Sequence, residues 1–320
     1  MQDKLTTLFE RSALAWDIEP VVAQALFAIE HKKSLRVNGL KAKKSTLKEI
    51  KSLGVDLKAI SWCKNTYKVN KGYEKLSVSQ LFTDGYFVMQ NSASFVPVLA
   101  LNAKPGENIL DMCAAPGIKT THIADITNNK ARLVANDTSK DRFFKMRKIF
   151  ITYGAIVESL LADGRFIKNK LNVAKFDKII IDAPCSGEAT INVNIPKTYQ
   201  SWNIQKIKRL NRLQLQLLIS AYELLKPGGT LVYSTCTISP EENEVVINKL
   251  LRRTNAKIIP VEINFDLKSM KGITTWKDKQ LNPEISKTLR ILPSEASEAF
   301  FVAKIVKPTH DTPDTDYYTK

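Results

Sequence analysis

Two cysteines stand where a nucleophile can work. Cys185 lies in the run Asp182-Ala183-Pro184-Cys185-Ser186-Gly187, and Cys236 in Tyr233-Ser234-Thr235-Cys236-Thr237. Each follows an apolar stretch that reads as a buried parallel strand, Lys178 to Ile181 and Thr230 to Tyr233. In open parallel sheets, ligands bind outside the carboxyl ends of the strands. Two thiols at two such ends can meet over one pocket. A thiolate attacks electron-poor carbon without help from a metal, so the pair points to covalent chemistry. Acids recur at the same edge: Asp137, Asp163 and Asp182 each end or follow an apolar run. An acid at the second strand end commonly binds ribose hydroxyls. The run Cys113-Ala114-Ala115-Pro116-Gly117-Ile118-Lys119 joins a strand to a helix. Its small residues let a ligand approach the backbone, and the helix start favours an electron-rich group. Neither the dinucleotide glycine pattern nor a phosphate loop is present.

The elements that must carry these residues follow from periodicity. From Leu101 onward, apolar runs alternate with helical patterns, which predicts an α/β domain on a parallel sheet. Strands are expected at 108–111, 132–136, 156–161, 176–182 and 230–234, with a final pair at 288–292 and 299–305. Helices are expected from Ile118, from Ser139 to Tyr153 and from Ile204 to Leu225. Ser239-Pro240-Glu241-Glu242 predicts another helix start, with the serine as cap. Before residue 80 the pattern is helical to about residue 30, then strand at 34–38, helix at 45–53 and short strands at 58–62 and 66–69. The expected domains are a small basic α+β module at 1–80, a catalytic α/β domain at 81–308, and a disordered polar tail at 309–320.

The 320 residues are 44% hydrophobic, enough for a well-buried core. No apolar run is long enough to span a membrane, and four scattered cysteines make no disulfide scaffold. The sequence therefore predicts a reducing, cytoplasmic setting and a monomer without a membrane partner. Three scattered histidines and the absence of a CxxC pair predict no metal. Cys63 and Cys113 read as inert small hydrophobes. The net charge of +16 favours a polyanionic partner. Between His31 and Lys75, thirteen Lys and Arg residues face only Glu49, Asp56 and Glu74. Lys32, Lys33, Arg36, Lys41, Lys43 and Lys44 are the expected phosphate contacts. A second basic set, Lys197, Lys206, Lys208 and Arg209, flanks the thiol region.

DMCAAPGIKTTHIA, FDKIIIDAPCSGE, LLKPGGTLVYSTCTISPEENE and FFVAKI, in this order, resemble the RsmB/RsmF-type (Nop/Sun) RNA cytosine-5 methyltransferases. LRVNGLK and LFTDGYFVMQNSAS resemble that family's N-terminal region and its junction. The resemblance implies a Rossmann-like fold, S-adenosylmethionine as cofactor and rRNA or tRNA as partner. It implies cofactor contacts at Cys113, Ala114, Ala115, Pro116, Gly117, Lys119, Asp137, Arg142, Asp163 and Asp182. It makes Cys236 the thiol that attacks carbon 6 of cytosine, and gives Cys185 a part in product release. Asp182 and Lys119 complete the catalytic set. Ile118 departs from the family's second glycine and adds bulk near the cofactor. The loop Glu188 to Asn192 also departs, lacking a second glycine and a later basic residue.

The chemistry suits these residue types on its own terms. Carbon 5 of cytosine is a poor nucleophile until a thiolate adds at carbon 6, which splits one hard step into easier ones. Two other classes compete. A DNA cytosine methyltransferase would attack with a cysteine placed like Cys185 and would need no second thiol. A non-catalytic RNA-binding assembly factor would need none of Cys185, Cys236, Lys119 and Asp182.

Overall fold

The computed structural model describes residues 2–171 and 175–309. Residues 310–320, within the predicted tail, lie outside the described residues. The chain opens with α1 (Gln2–Trp16) and α2 (Pro20–Leu26). A small region follows: β1 (Ser34–Val37), α3 (Thr46–Ser52), β2 (Asp56–Ala59), β3 (Thr66–Lys71), α4 (Tyr73–Ser77), α5 (Gln80–Thr83) and β4 (Phe87–Met89). Its sheet has the order β2-β3-β1-β4, antiparallel throughout. Leu35, Val37, Val69 and Phe87 pack with Ile50 and Leu76 on one face. The fourth strand lies beyond residue 80, so the small sheet reaches Met89. By packing, α1 and α2 belong to the catalytic half: Leu8, Trp16 and Phe27 share a core with Ile191, Trp202 and Trp276. The strand expected at 58–62 sits at Asp56–Ala59 instead. The chain turns at Asn65 (φ 60°), and Trp62 leaves the sheet to pack against Phe95 and Phe265.

The larger half comprises α6 (Val96–Leu101), β5 (Asn108–Asp111), α7 (Ile118–Ile126), β6 (Arg132–Asp137), α8 (Lys140–Tyr153), β7 (Glu158–Leu161), β8 (Phe176–Asp182), α9 (Ile204–Leu224), β9 (Leu225–Thr235) and α10 (Glu244–Leu251). After these come β10 (Lys257–Ile259), β11 (Ser269–Lys271), the hairpin β12 (Thr275–Trp276) and β13 (Lys279–Gln280), β14 (Leu289–Ile291) and β15 (Phe300–Val306). The main sheet runs β11-β14-β15-β9-β8-β5-β6-β7, with β10 beside β15. Strands β5 to β9 are parallel, and β15 is antiparallel to β9. The central strands are apolar on both faces because helices cover both. Ile179, Ile181, Leu231 and Tyr233 face α9 and α10, whereas Ile180 and Val232 face α6 and α7. Connections from β5 run outward to β6 and β7, then return to β8 on the other side. The β5–β8 boundary is therefore a topological switch point, where a crevice opens at the carboxyl edge.

One predicted helix start moves. The helix after β9 begins at Glu244, and residues 240–243 form a turn. Ser239 does not cap it, because its hydroxyl and amide both bind Glu188.

Candidate active site

Strands β8 and β9 are neighbours with Asp182 opposite Ser234. The Ala183 amide donates to the Ser234 carbonyl at 2.9 Å, so both chains leave the sheet together. This register brings the Cys185 and Cys236 sulfurs to 3.3 Å, although 51 residues separate them. The hydrogen bond to the Cys236 sulfur, with burial behind it, pushes the Cys185 thiol well above its ordinary range. Cys185 therefore holds its proton more tightly than a free thiol, and either sulfur can be the donor of the pair. Burial pushes Cys113 upward too, with Asp111, Asp137 and Asp182 adding to the effect, and Cys63 is also raised by burial. Neither has thiolate character.

Beside the thiols, Lys119 Nζ lies 2.7 Å from Asp182 Oδ2, and the Ser234 hydroxyl donates to Asp182 Oδ1 at 2.9 Å. The ammonium also sits over the Phe300 ring, 5.5 Å from its centroid. Burial alone would lower the Lys119 pKa, but the adjacent Asp182 carboxylate outweighs it and the net shift is upward. Lys119 is thus a fixed cation, held by the first turn of α7, and Asp182 is a carboxylate held at both oxygens.

The loop after β5 is stitched to its neighbours. The Met112 amide donates to the Ile180 carbonyl and the Ala114 amide to the Asn136 carbonyl. Asn136 returns its side-chain amide to the Met112 and Ala162 carbonyls, each at 3.0 Å. Asp111 is buried and accepts from the Thr120 hydroxyl at 2.7 Å; burial raises its pKa to about 7. Gly117 precedes α7 with φ 106°, and a Cβ there would lie 2.7 Å from the Phe150 ring. The positive φ falls on Gly117 rather than on Ile118, which begins the helix in ordinary backbone geometry. The missing second glycine therefore leaves the turn intact.

Asp137 ends β6 and is nearly buried. It accepts amides from Ala115 at 3.3 Å and Ser139 at 2.9 Å, and Arg142 lies 3.5 Å away. Arg142 also donates to the Ala115 carbonyl, closing the loop over the carboxylate. Asp163 follows β7, accepts the Arg165 amide at 3.0 Å and is gripped by the Arg165 guanidinium, which lowers its pKa. This set of groups fits a nucleoside with an amino acid end. Two carboxylates at adjoining strand ends suit hydroxyl and amino donors, and the α7 start beside Gly117 suits a carboxylate. Cys113 to Lys119 line the side nearest the thiols.

Sequence reasoning did not find the polar layer that ties the two thiol loops. Glu188 is buried and accepts five hydrogen bonds: Trp202 Nε1 (2.8 Å) and the Ser239 hydroxyl (2.8 Å) at one oxygen, and the Thr237 hydroxyl (2.9 Å), Ile238 amide (3.1 Å) and Ser239 amide (2.7 Å) at the other. Glu242, fully buried, accepts from the Ser186 amide at 3.0 Å, from the Ser186 hydroxyl, and from Gln214 at 2.9 Å. Ser186 and Thr237 share a 2.7 Å hydroxyl contact. Burial raises Glu242 to about 7, reinforced by Glu188 nearby. Asn243 accepts from Thr235 at 2.6 Å and donates to the Thr237 carbonyl at 3.0 Å, gripping both neighbours of Cys236. The available signal was the acid count. Three glutamates within Glu241-Glu242-Asn243-Glu244 exceed what one helix start requires.

The expected RNA contacts divide. Arg36 is not a surface contact: it is 1% exposed, ion-paired to Asp125 at 2.9 Å and donating to Thr121 at 3.0 Å. Strand β1 is covered on both faces, so Arg36 points into the junction with α7 rather than to water. Lys41 donates to the carbonyls of Asp84 and Thr152 and lies over the Tyr86 ring, which fixes it at the end of α8. Lys32 pairs with Glu295 at 3.0 Å. Lys33, Lys43 and Lys44 remain exposed. Among the described residues, no group of three or more His, Cys, Asp or Glu is placed to hold a metal, and no helix is long and apolar enough to cross a membrane.

The family model described as 16S rRNA methyltransferase RsmB/F matches residues 98–306. The tRNA (cytosine(49)-C(5))-methyltransferase of Pyrococcus abyssi is 38% identical over 86% of this chain and 88% of its own length. The ribosomal RNA small subunit methyltransferase F of Aeromonas salmonicida is 33% identical over 89% of this chain, which spans 59% of that protein. The mouse 28S rRNA (cytosine-C(5))-methyltransferase is 32% identical over 88% of this chain, which spans 36% of it. Among solved structures, a methyltransferase homologue from Pyrococcus horikoshii superposes with a TM-score of 0.81 at 31% identity, covering 93% of both chains. With the thiol pair at two strand ends and a cofactor crevice beside it, the chain belongs to the RsmB/RsmF-type family and is an S-adenosylmethionine-dependent RNA cytosine-5 methyltransferase.

Proposed function

We propose that the chain methylates carbon 5 of a cytosine in tRNA, with Cys236 as the attacking thiol and Cys185 acting when the product is released. The observation that supports one shared site is the 3.3 Å approach of the two sulfurs beside the Lys119–Asp182 pair, and the division of roles between them follows the family resemblance. When bound, S-adenosylmethionine would supply an electrophilic methyl group; Asp137, Asp163 and the loop Cys113 to Lys119 would hold it. Cys236 adds through sulfur to carbon 6, and the ring electrons move to make carbon 5 nucleophilic. The proton released from Cys236 goes to ring nitrogen 3 as the sulfur adds, and Asp182, fixed by Lys119 and Ser234, accepts the hydrogen bond from the resulting N3–H. After carbon 5 is methylated its proton leaves to a base. The electrons of that C–H bond reform the ring double bond, and the carbon 6–sulfur bond breaks toward Cys236. The resemblance gives Cys185 to this second stage, and its sulfur is within reach of the one that must depart.

Support for tRNA over rRNA is the 38% identity to a tRNA enzyme, against 33% and 32% to the two rRNA enzymes. Four cysteines, all free, suit a reducing cytoplasm, and we take the working form as a monomer. The test is methyl transfer to tRNA and rRNA transcripts, with modified cytosines mapped by bisulfite sequencing. Cys236→Ala should abolish transfer while cofactor binding survives. Cys185→Ala should trap a protein–RNA adduct on a denaturing gel. Near-normal turnover in Cys236→Ala overturns the assignment, and an adduct only in Cys236→Ala reverses the roles toward the DNA-type mechanism. Modification confined to rRNA overturns the choice of substrate.

A further inference from the structure

The helix α9 starts at the catalytic edge. Its Lys206 ammonium lies 3.5 Å from the Ser186 carbonyl, one residue past Cys185. One and two turns further, Arg209 and Arg212 project outward and are exposed. The neighbouring α10 carries Lys249, Arg253 lies in the turn just after it, and the two helices are joined where Lys249 donates to Asn211 at 2.6 Å. The Asn282 amide, just past β13, binds the Asn248 side chain at 2.9 Å, which sets Lys279 of the β12–β13 hairpin against the same surface. Among the described residues, none of Arg209, Arg212, Lys249, Arg253 and Lys279 has an ion pair. Burial, then repulsion from Arg253, Arg212 and Lys279, lowers the Lys249 pKa, so these charges act on one another. Of the nearby acids, Glu241 is held by Arg11 and Lys277 and Asp278 stands beside Lys279, so the cations outnumber the acids on this face. An excess of like charge on one face opposes the compact state and is relieved when a polyanion binds it.

We propose that this face of α9, α10 and the hairpin is a docking surface for the phosphate backbone of the RNA that enters the active site. It lies across the sheet from α7, against which the small basic region packs through Arg36. The substrate RNA would then be held on both sides of the catalytic edge. The contacts are to phosphate, because extended side chains on an open helical face offer charge but no enclosed pocket for a base. The proposal rests on the RNA methyltransferase reading.

The test is RNA binding by fluorescence anisotropy across a salt series, using tRNA transcript and the full chain. The variant carries Arg209→Gln, Arg212→Gln, Arg253→Gln and Lys279→Gln, all at exposed sites. Counterion release gives a slope of roughly 0.7–0.9 per phosphate, so loss of four phosphate contacts should flatten the log–log salt slope by about 3 to 4. The KM for RNA should rise at least about tenfold, the change that ~1.4 kcal/mol of lost binding produces, with kcat and cofactor affinity unchanged. Lys43→Gln with Lys44→Gln, on the other side, should flatten the slope independently. An unchanged slope and KM in the fourfold variant overturns the proposal and gives the face to another partner, such as an acidic protein. Wild-type binding without methyl transfer would instead sink the catalytic reading, which the anisotropy series distinguishes.

Discussion

Glu188 offers a sharp perturbation because it touches neither cofactor loop and yet holds both thiol loops. It leaves β8 three residues after Cys185, and its carboxylate gathers Thr237, Ile238 and Ser239, the three residues after Cys236. Replacing it with alanine strands two backbone amides and the Trp202 indole N–H in a buried site. Each unsatisfied buried donor costs about 1–3 kcal/mol, and their effects overlap, so a total of roughly 3–5 kcal/mol is expected. For a chain of this size that lowers the melting temperature by roughly 6–15 °C, at about 2–3 °C per kcal/mol. The catalytic effect should be separate and larger. The Cys185–Cys236 spacing would no longer be enforced, and a displacement near 1 Å costs on the order of 10²-fold in rate. Glu188→Gln keeps the volume but turns an NH2 group toward one pair of donors, so it should lie between wild type and alanine. The assay is calorimetric unfolding beside single-turnover methyl transfer, with cofactor affinity measured separately. Cofactor affinity should stay unchanged, because the loops after β5 and β6 have their own ties through Asn136 and Asp137. Wild-type melting and turnover in Glu188→Ala would refute the reasoning; loss of cofactor binding in step with turnover would show general collapse instead.

Asp137→Ala should weaken S-adenosylmethionine by about 1–3 kcal/mol, the usual cost of an unmet polar group; unchanged affinity by calorimetry would remove it from the cofactor site. Glu242 should carry a pH signature. Burial raises its folded pKa from 4.5 to about 7, so the folded state keeps a proton that the unfolded chain gives up. The stabilisation this brings is complete below about pH 4.5 and is lost as pH rises toward 7. Buried His122 works in the opposite direction, since its pKa is lowered and the unfolded chain takes up the proton below its ordinary value. The group is therefore isolated by difference: the stability gap between wild type and Glu242→Gln in urea should shift by roughly 3 kcal/mol against wild type from pH 4.5 to 7. A gap constant over that range would refute the buried protonated state.

Much of this was legible because parallel strands covered on both faces have an unmistakable apolar core. Ile179 to Ile181 and Leu231 to Tyr233 could be nothing else, and the thiols and acids at their ends followed from the edge rule. The misplacements share a cause: side chains whose partners lie far away in sequence. Ser239 looks like a helix cap until Glu188 claims it. Arg36 looks like a phosphate contact until Asp125, 89 residues later, pairs with it. Lys41 is drawn to carbonyls at the end of α8. Local charge density measures how many cations a segment has, and says nothing of how many are already used. The amphipathic α1 and α2 looked like part of the small region because they precede it. Their apolar side chains instead meet Trp202, from the segment before α9, and Trp276 of β12.

The site depends on which strands are neighbours more than on any one motif. Cofactor loops hang from β5 to β7, and the thiols hang from β8 and β9, on opposite sides of the switch point. Lys119, in the first turn after β5, and Asp182, at the end of β8, meet across that boundary at 2.7 Å. In the proposed function this pair would connect the half that holds the methyl donor to the half that holds the base. Its two charges are mostly removed from water, where a lone lysine would lose its proton more readily. Asp182 keeps Lys119 charged, and Lys119 with Ser234 keeps Asp182 in one orientation. A base hydrogen-bonded to Asp182 is then fixed relative to both the methyl donor and Cys236. That shared reference is what bond formation at carbon 6 and methyl transfer at carbon 5 of the same ring require.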